Sequence, residues 1–186
     1  MDHFLIACYL RRKVRFTAKS QLFKPPMRFV FSHAGCFPVR RGAHDEETFT
    51  TTHAILARGG TVAMYCEGGR SRTGKLGEHA KPSVGRLALE TGVPVVPIAI
   101  YGSSRIRNWK RLQVPKATVQ YGKPLRWERT ANPTRFQQQA VATEVLLQIR
   151  SLHAGLHQDA NRRRRRRLAG SARSVNPTTT TEDRSA

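Results

Sequence analysis

The chain has 186 residues, 39% of them hydrophobic, and a formal net charge of +21. That length suits one domain with a core of ordinary size. No run approaches the ~20 apolar residues that a spanning helix needs, and no signal-peptide pattern occurs, so the sequence as it stands argues against a membrane span and against export.

The charge is shared between a tail and a body. From Ala160 onward eight arginines stand against two acids, which carries +6 and leaves +15 on residues 1–159. A body this basic should be drawn to nucleic acid, an acidic lipid surface or phosphorylated small molecules. The cysteines, Cys8, Cys36 and Cys66, are odd in number and form no Cys-x-x-Cys or Cys/His cluster. They point to a reducing compartment, to thiols used for packing and to no metal site.

In chain order, Asp2–Leu10 is an apolar run closed by Arg11-Arg12-Lys13, which suits a short helix with a cationic end. Val14–Ala18 alternates like a strand. Ser20–Phe31 mixes helical spacing with Pro25-Pro26 and reads as a broken helix. Cys36–Val39 is a brief strand, since Pro38 argues against a long central one. His44-Asp45-Glu46-Glu47 opens a helix whose Phe49, His53 and Leu56 share a face, and Arg58-Gly59-Gly60 closes it.

Thr61–Tyr65 is the next strand, Pro82–Thr91 a helix ended by Gly92, and Val93–Ile100 a buried strand. Thr118–Tyr121 is a further strand. Asn132-Pro133 introduces a last amphipathic helix through Phe136, Ala140, Val141, Val145, Ile149 and Leu152. The periodicity stops at Gly155. The alternation predicts an α/β fold: a single domain over 1–155 with a central, mostly parallel sheet flanked by helices. Residues 156–186, with Arg162–Arg167 and a Ser/Thr-rich end, read as a disordered basic tail.

One turn carries chemistry. Met64-Tyr65-Cys66-Glu67-Gly68-Gly69-Arg70-Ser71 sets a carboxylate, two glycines, a guanidinium and a hydroxyl just past a strand end, where ligands of open α/β sheets bind. Glycines admit close backbone approach, and Arg can grip a phosphate through two parallel hydrogen bonds. Taken alone, the stretch reads sooner as a solvated loop, and it is not a Walker loop.

Its neighbours change that reading. One strand earlier lies Gly35-Cys36-Phe37-Pro38-Val39-Arg40-Arg41-Gly42, and one strand later Val93-Pro94-Val95-Val96-Pro97-Ile98. In content, order and spacing these resemble three of the four sequence blocks of the glycerolipid acyltransferases of the 1-acyl-sn-glycerol-3-phosphate, or lysophospholipid, type. The family's second block ends in an Arg six positions after a Gly, matched by Arg41 with Arg40 beside it. Its third block is Phe-Pro-Glu-Gly-Thr-Arg-Ser, matched by Tyr65 to Ser71, with Cys66 in place of Pro and Gly69 in place of Thr. Its fourth is an apolar strand with a proline, matched at Pro97.

The resemblance implies that Arg41, Glu67, Gly68 and Arg70 bind the acceptor phosphate, with weaker parts for Arg40, Gly69, Ser71 and Pro97. The two replacements are expected to loosen the turn and remove one hydroxyl donor. The family's first block, His-x-x-x-x-Asp, supplies the general base on the acceptor hydroxyl, with the Asp orienting the imidazole. None of the seven histidines here has an Asp five positions later. Asp2 sits where that Asp would be, so it is assigned to orient a His four residues before Met1. The resemblance favours an N-terminally truncated sequence with its true start upstream over loss of the base.

The implied activity is transfer of a fatty acyl group from acyl-CoA or acyl carrier protein to the hydroxyl of lysophosphatidate or a related lysophospholipid, in phospholipid biosynthesis. It needs no cofactor besides that co-substrate and no metal. The expected partners are the acyl-thioester donor, the lysophospholipid acceptor and an anionic membrane surface, with a cytoplasmic, peripheral location on the inner face of the membrane. Two alternatives stand beside it: a catalytically impaired phospholipid-binding remnant, and a basic nucleic-acid-binding protein. The second has only the Arg run in its favour, without interleaved aromatics or a nucleic-acid module motif.

Overall fold

The computed structural model describes residues 5–6, 10, 12–19, 23, 25, 29, 31, 33, 35–39, 45–67, 76–103 and 117–174. Leu5 and Ile6 are helical, as expected of the first segment, and the remainder of 2–9 lies outside the described residues. Of Ser20–Phe31 too few residues are described to trace a helix.

The first sheet is built on β1 (Val14–Lys19), which buries Val14 and Phe16 and exposes Arg15, the period-2 pattern of a strand with one face on a core. β1 lies between β2 (Cys36–Val39) and β3 (Thr61–Ala63) and is parallel to both. Phe16 is opposite Cys36 on one side and Ala63 on the other. Pro38 is accommodated because β2 pairs on one side only among the described residues. Gly35 enters β2 at φ 75°, and its carbonyl accepts the Phe16 N–H at 3.2 Å. A side chain there would occupy the left-handed region and press on the Val14 carbonyl at 3.3 Å.

Helix α1 (Asp45–Ala57) carries the chain from β2 to β3. Phe49 and Thr52 are its buried residues, while His53 and Leu56 are only half-buried, so the inward face is rotated from the one expected. Thr52 can be buried because its hydroxyl donates to the Thr48 carbonyl at 2.8 Å. The expected glycine stop is realised at Gly59 and Gly60, whose N–H groups bond the carbonyls of Leu56 and Ile55. Next, β3 ends at Ala63 rather than Tyr65.

Helix α2 (Pro82–Thr91) has proline in its first turn and Gly92 as a left-handed cap whose N–H bonds the Ala88 carbonyl at 2.9 Å. The strand expected over Val93–Ile100 is shorter. β4 spans Ile98–Tyr101, preceded by a single bridge from Val95 to Leu125, because Pro94 and Pro97 cannot donate to a ladder. β4 pairs antiparallel with β5 (Thr118–Tyr121) in a two-stranded sheet separate from the parallel one. The two sheets share a core in which Ile98 and Ile100 pack on the cluster of Ile6, Val14 and Phe16. The protein is thus a single α/β domain with a parallel three-stranded sheet, as expected, and a second antiparallel pair.

Helix α3 (Arg135–Ser174) opens with a reciprocal cap, the Thr134 N–H donating to Gln137 Oε1 at 2.8 Å and the Gln137 N–H to Thr134 Oγ1 at 3.3 Å. It buries Val141, Ala142, Val145, Leu146 and Leu156. Phe136, expected on that stripe, is 83% exposed. Gly85 of α2 makes the closest approach to α3, since a Cβ there would fall 1.9 Å from the Gln138 carbonyl oxygen. The helix does not stop at Gly155. Residues 156–174 are helical where the sequence suggested a disordered tail, because Gly155 is exposed with open space around it and Arg, Ala and Leu are strong helix formers.

A charged network holds α1 on α2. Arg86 grips both carboxylate oxygens of Glu46 at 2.6 and 3.1 Å and Glu90 at 2.7 Å, with its guanidinium 4.2 Å from the Phe49 ring centre. His53 donates from Nε2 to Glu90 at 2.8 Å. These hydrogen bonds raise the Arg86 pKa further and lower that of Glu46.

Candidate active site at the Glu67 turn

Because β1, β2 and β3 are parallel, their C-terminal ends share one edge. The register sets Val39 opposite Lys19 and Ala63 opposite Phe16, so β2 and β3 end toward that edge on either side of β1. After β3 the chain continues through Met64 and Tyr65 into a turn at Cys66 and Glu67.

Cys66 anchors this turn. It is 8% exposed, in a core cluster with Ala80, Val84, Ala142, Val145 and Leu146. Its carbonyl accepts the Lys81 N–H at 2.8 Å, which joins the start of the turn to the start of α2. Burial first, and then the Glu67 carboxylate, push the Cys66 thiol up, while backbone hydrogen bonds at Cys66 and Glu67 and, least, the Arg150 charge pull it partly back. It is therefore a protonated packing thiol. Its burial and the bond from its backbone carbonyl to Lys81 fasten this end of the turn, while Gly69, the other replacement, lies outside the described residues.

Glu67 is half-buried with its side chain lying along Gly77. A Cβ on Gly77 would sit 3.3 Å from Glu67 Cγ and 3.5 Å from Oε2, so the missing side chain is what leaves room for the carboxylate. The Gly77 carbonyl accepts a hydrogen bond from Arg150 Nη2 on α3 at 2.7 Å. Sequence reasoning missed Arg150, for it lies far from the turn along the chain and reads as an ordinary cation on a helix.

Pro97 is buried at the start of β4. Its carbonyl accepts the Gly122 N–H at 2.8 Å, and its ring would lie 2.8 Å from a Cβ on Gly122. Those contacts join β4 to β5. Asp2, Arg40, Arg41, Gly68, Gly69, Arg70 and Ser71 lie outside the described residues.

Several histidines have evident local partners. His33 donates from Nδ1 to the Phe29 carbonyl at 2.9 Å, and His53 is held by Glu90. His153 and His157 on α3 set their rings 5.8 and 5.7 Å from that of Tyr101, at the end of β4. Burial, then the His157 charge, lowers the His153 pKa.

A family model described as acyltransferase matches residues 1–101, more than half of the chain. Among characterised proteins, a chloroplastic 1-acyl-sn-glycerol-3-phosphate acyltransferase of Brassica napus is 30% identical over 100 residues, covering 52% of this chain and 29% of the relative. A second, from Arabidopsis thaliana and of the same printed activity, is 30% identical over 100 residues, covering 52% and 28%. The matched stretch thus takes in less than a third of either relative's length. No solved structure matches significantly. The matched segment contains β1 to β4 and the Glu67 turn, and the chain belongs to the acyltransferase family that this model describes.

Proposed function

We propose that the chain is an O-acyltransferase that moves a fatty acyl group from acyl-CoA or acyl carrier protein to the free hydroxyl of lysophosphatidate or a related lysophospholipid. The observation that carries this is the Glu67 turn at the C-terminal edge of a parallel sheet, inside a segment that matches the acyltransferase model. In this reading Arg41, Glu67, Gly68 and Arg70 hold the acceptor phosphate, with Arg40, Gly69, Ser71 and Pro97 around them. A histidine base oriented by Asp2 takes the proton of the acceptor hydroxyl as its oxygen attacks the thioester carbonyl. The tetrahedral intermediate then collapses, expelling the thiolate, which takes up the proton. No metal or further cofactor enters this scheme.

The protein would work as a peripheral protein on the cytoplasmic, inner face of a membrane. No helix among the described residues is long and apolar enough to cross one. Past Leu156, the last buried residue among those described, α3 extends through Ser174, about 27 Å at the usual rise. Arg162, Arg163, Arg165 and Arg166 on it are exposed. Consecutive arginines on a helix point to all sides, which suits attraction to anionic lipid through charge rather than insertion.

The test is acyl transfer from acyl-CoA to lysophosphatidate by this chain and by a form extended upstream to include a histidine four residues before Met1. Product from the extended form supports the reading. No product from either form, with every acyl donor and lysophospholipid tried, overturns it. The absence of the His-x-x-x-x-Asp spacing from the sequence favours a second reading, a phospholipid-binding protein without turnover. Phosphate-dependent lipid binding by an inactive extended form would select that one.

A further inference from the structure

We propose that Arg150 is a positioning residue of the acceptor site, holding the Glu67 turn in place from α3 through the carbonyl of Gly77. This rests on the acceptor-binding reading above and extends it to a residue outside the matched segment 1–101.

Even partial removal of a guanidinium from water is unfavourable unless hydrogen bonds or an opposite charge offset it. Arg150 is half-buried, and among the described residues no carboxylate lies within ion-pair distance of it. Its partner is instead the Gly77 carbonyl at 2.7 Å. An Arg side chain offers five N–H donors, so this contact leaves most of its hydrogen-bonding capacity unspent.

Gly77 is where Glu67 rests. The Glu67 side chain packs against the Gly77 backbone closely enough that even a methyl group there would touch it. Arg150 therefore fixes Gly77, and Gly77 fixes Glu67. The residue just before Glu67 is held by the burial of Cys66 and its carbonyl's bond to Lys81.

α3 can serve as the anchor because its residues near Arg150 are buried in the core. Val145 and Leu146 are 3% and 2% exposed, within five residues of Arg150, and Leu152 reaches Gly122. A cation fastened to such a helix keeps a defined position relative to the sheet edge, and it adds positive potential where a phosphate monoester is to bind.

The test uses the full chain and isothermal titration with two soluble lipids, hexanoyl lysophosphatidate and monohexanoylglycerol, which differ in the phosphate. Arg150→Ala is expected to weaken lysophosphatidate binding about tenfold while leaving monohexanoylglycerol unchanged, and Arg150→Lys to recover most of the loss. Arg150→Met, which keeps the apolar stem, carries the test if Arg150→Ala does not fold. Equal weakening for both lipids would assign Arg150 a merely structural role and overturn the inference. Arg70→Ala is the control for the underlying reading. Loss of phosphate-dependent binding in Arg70→Ala, with wild-type behaviour in Arg150→Ala and Arg150→Met, would overturn the inference alone. Wild-type protein that does not distinguish the two lipids would overturn both.

Discussion

The carbonyl oxygen of Cys66 accepts the backbone N–H of Lys81 at 2.8 Å, so the residue preceding Glu67 is hydrogen-bonded to the residue preceding helix α2. The segment that starts at Glu67 therefore begins and returns at the same place in the core. Its position depends on how well α2 and α3 pack beneath it, since Cys66 shares their cluster with Val84, Val145 and Leu146.

That dependence makes Gly85 a sensitive position. In an exposed helix interior, Gly→Ala would stabilise by ~1 kcal/mol. Here the added methyl would fall 1.9 Å from the Gln138 carbonyl oxygen, an atom of backbone that cannot rotate away. Gly85→Ala is expected to destabilise by ~1–3 kcal/mol through overpacking. Urea denaturation followed by circular dichroism measures it, and a variant more stable than wild type would refute the close α2–α3 approach.

Gly77→Ala probes the site rather than the core. The new Cβ meets Glu67 at 3.3 Å, so the carboxylate must shift by a few tenths of an ångström. We expect several-fold weaker lysophosphatidate binding with a melting temperature close to that of wild type. Isothermal titration beside a thermal melt separates the two effects. Unchanged affinity would show that the position of Glu67 against Gly77 does not matter to the acceptor.

The network between α1 and α2 is unequal in its parts. The side chain of Glu90 is 17% exposed and serves both Arg86 and His53, whereas that of Glu46 is 73% exposed. Glu90→Ala should cost ~1–3 kcal/mol, because a partly buried guanidinium and imidazole lose their acceptor. Glu46→Ala should leave the urea midpoint within error, as an exposed pair is screened. A larger loss for Glu46→Ala would reverse this ranking.

His153 imposes a pH dependence. Burial and the His157 charge depress its folded pKa, so the unfolded chain binds the proton more readily. The stability of the neutral form is complete above the unfolded value of ~6.5 and is lost as pH falls below it toward the folded value. The melting temperature should be lower at pH 5.5 than at 7.5, and His153→Gln should reduce that difference. The same slope in the variant would assign the effect to other groups.

The cationic end of α3 should act independently of the body. Replacing Arg162–Arg167 by glutamine should abolish co-sedimentation with phosphatidylserine-containing vesicles at low salt, while the melting temperature stays unchanged. Binding that survives the replacement would place the membrane-facing charge on residues 1–159.

The elements whose signals are local were legible. β1 shows its two-residue alternation, α1 its Gly59-Gly60 stop, and α2 its proline entry and Gly92 exit. The third acyltransferase block was legible because its residue types are adjacent in the chain. What could not be read was set by contacts between distant segments. Phe136 fits the helical stripe by spacing, yet faces solvent because the α2–α3 contact centres on Ala142 and Gly85. The division into two sheets turns on which strand neighbours which, a choice that apolar runs do not encode.

The Glu67 turn shows both sides of this. By itself the sequence determined the turn's chemistry and family, since a carboxylate, glycines and a guanidinium in that order after a strand are a short-range pattern. Only the tertiary structure decided what holds it: Cys66 buried beneath, Gly77 against the carboxylate, and Arg150 reaching across from α3. The physical reason is distance along the chain. Gly77 and Arg150 are brought to Glu67 by helix packing and a single carbonyl hydrogen bond, and such long-range pairings leave no periodic mark in the residues that make them.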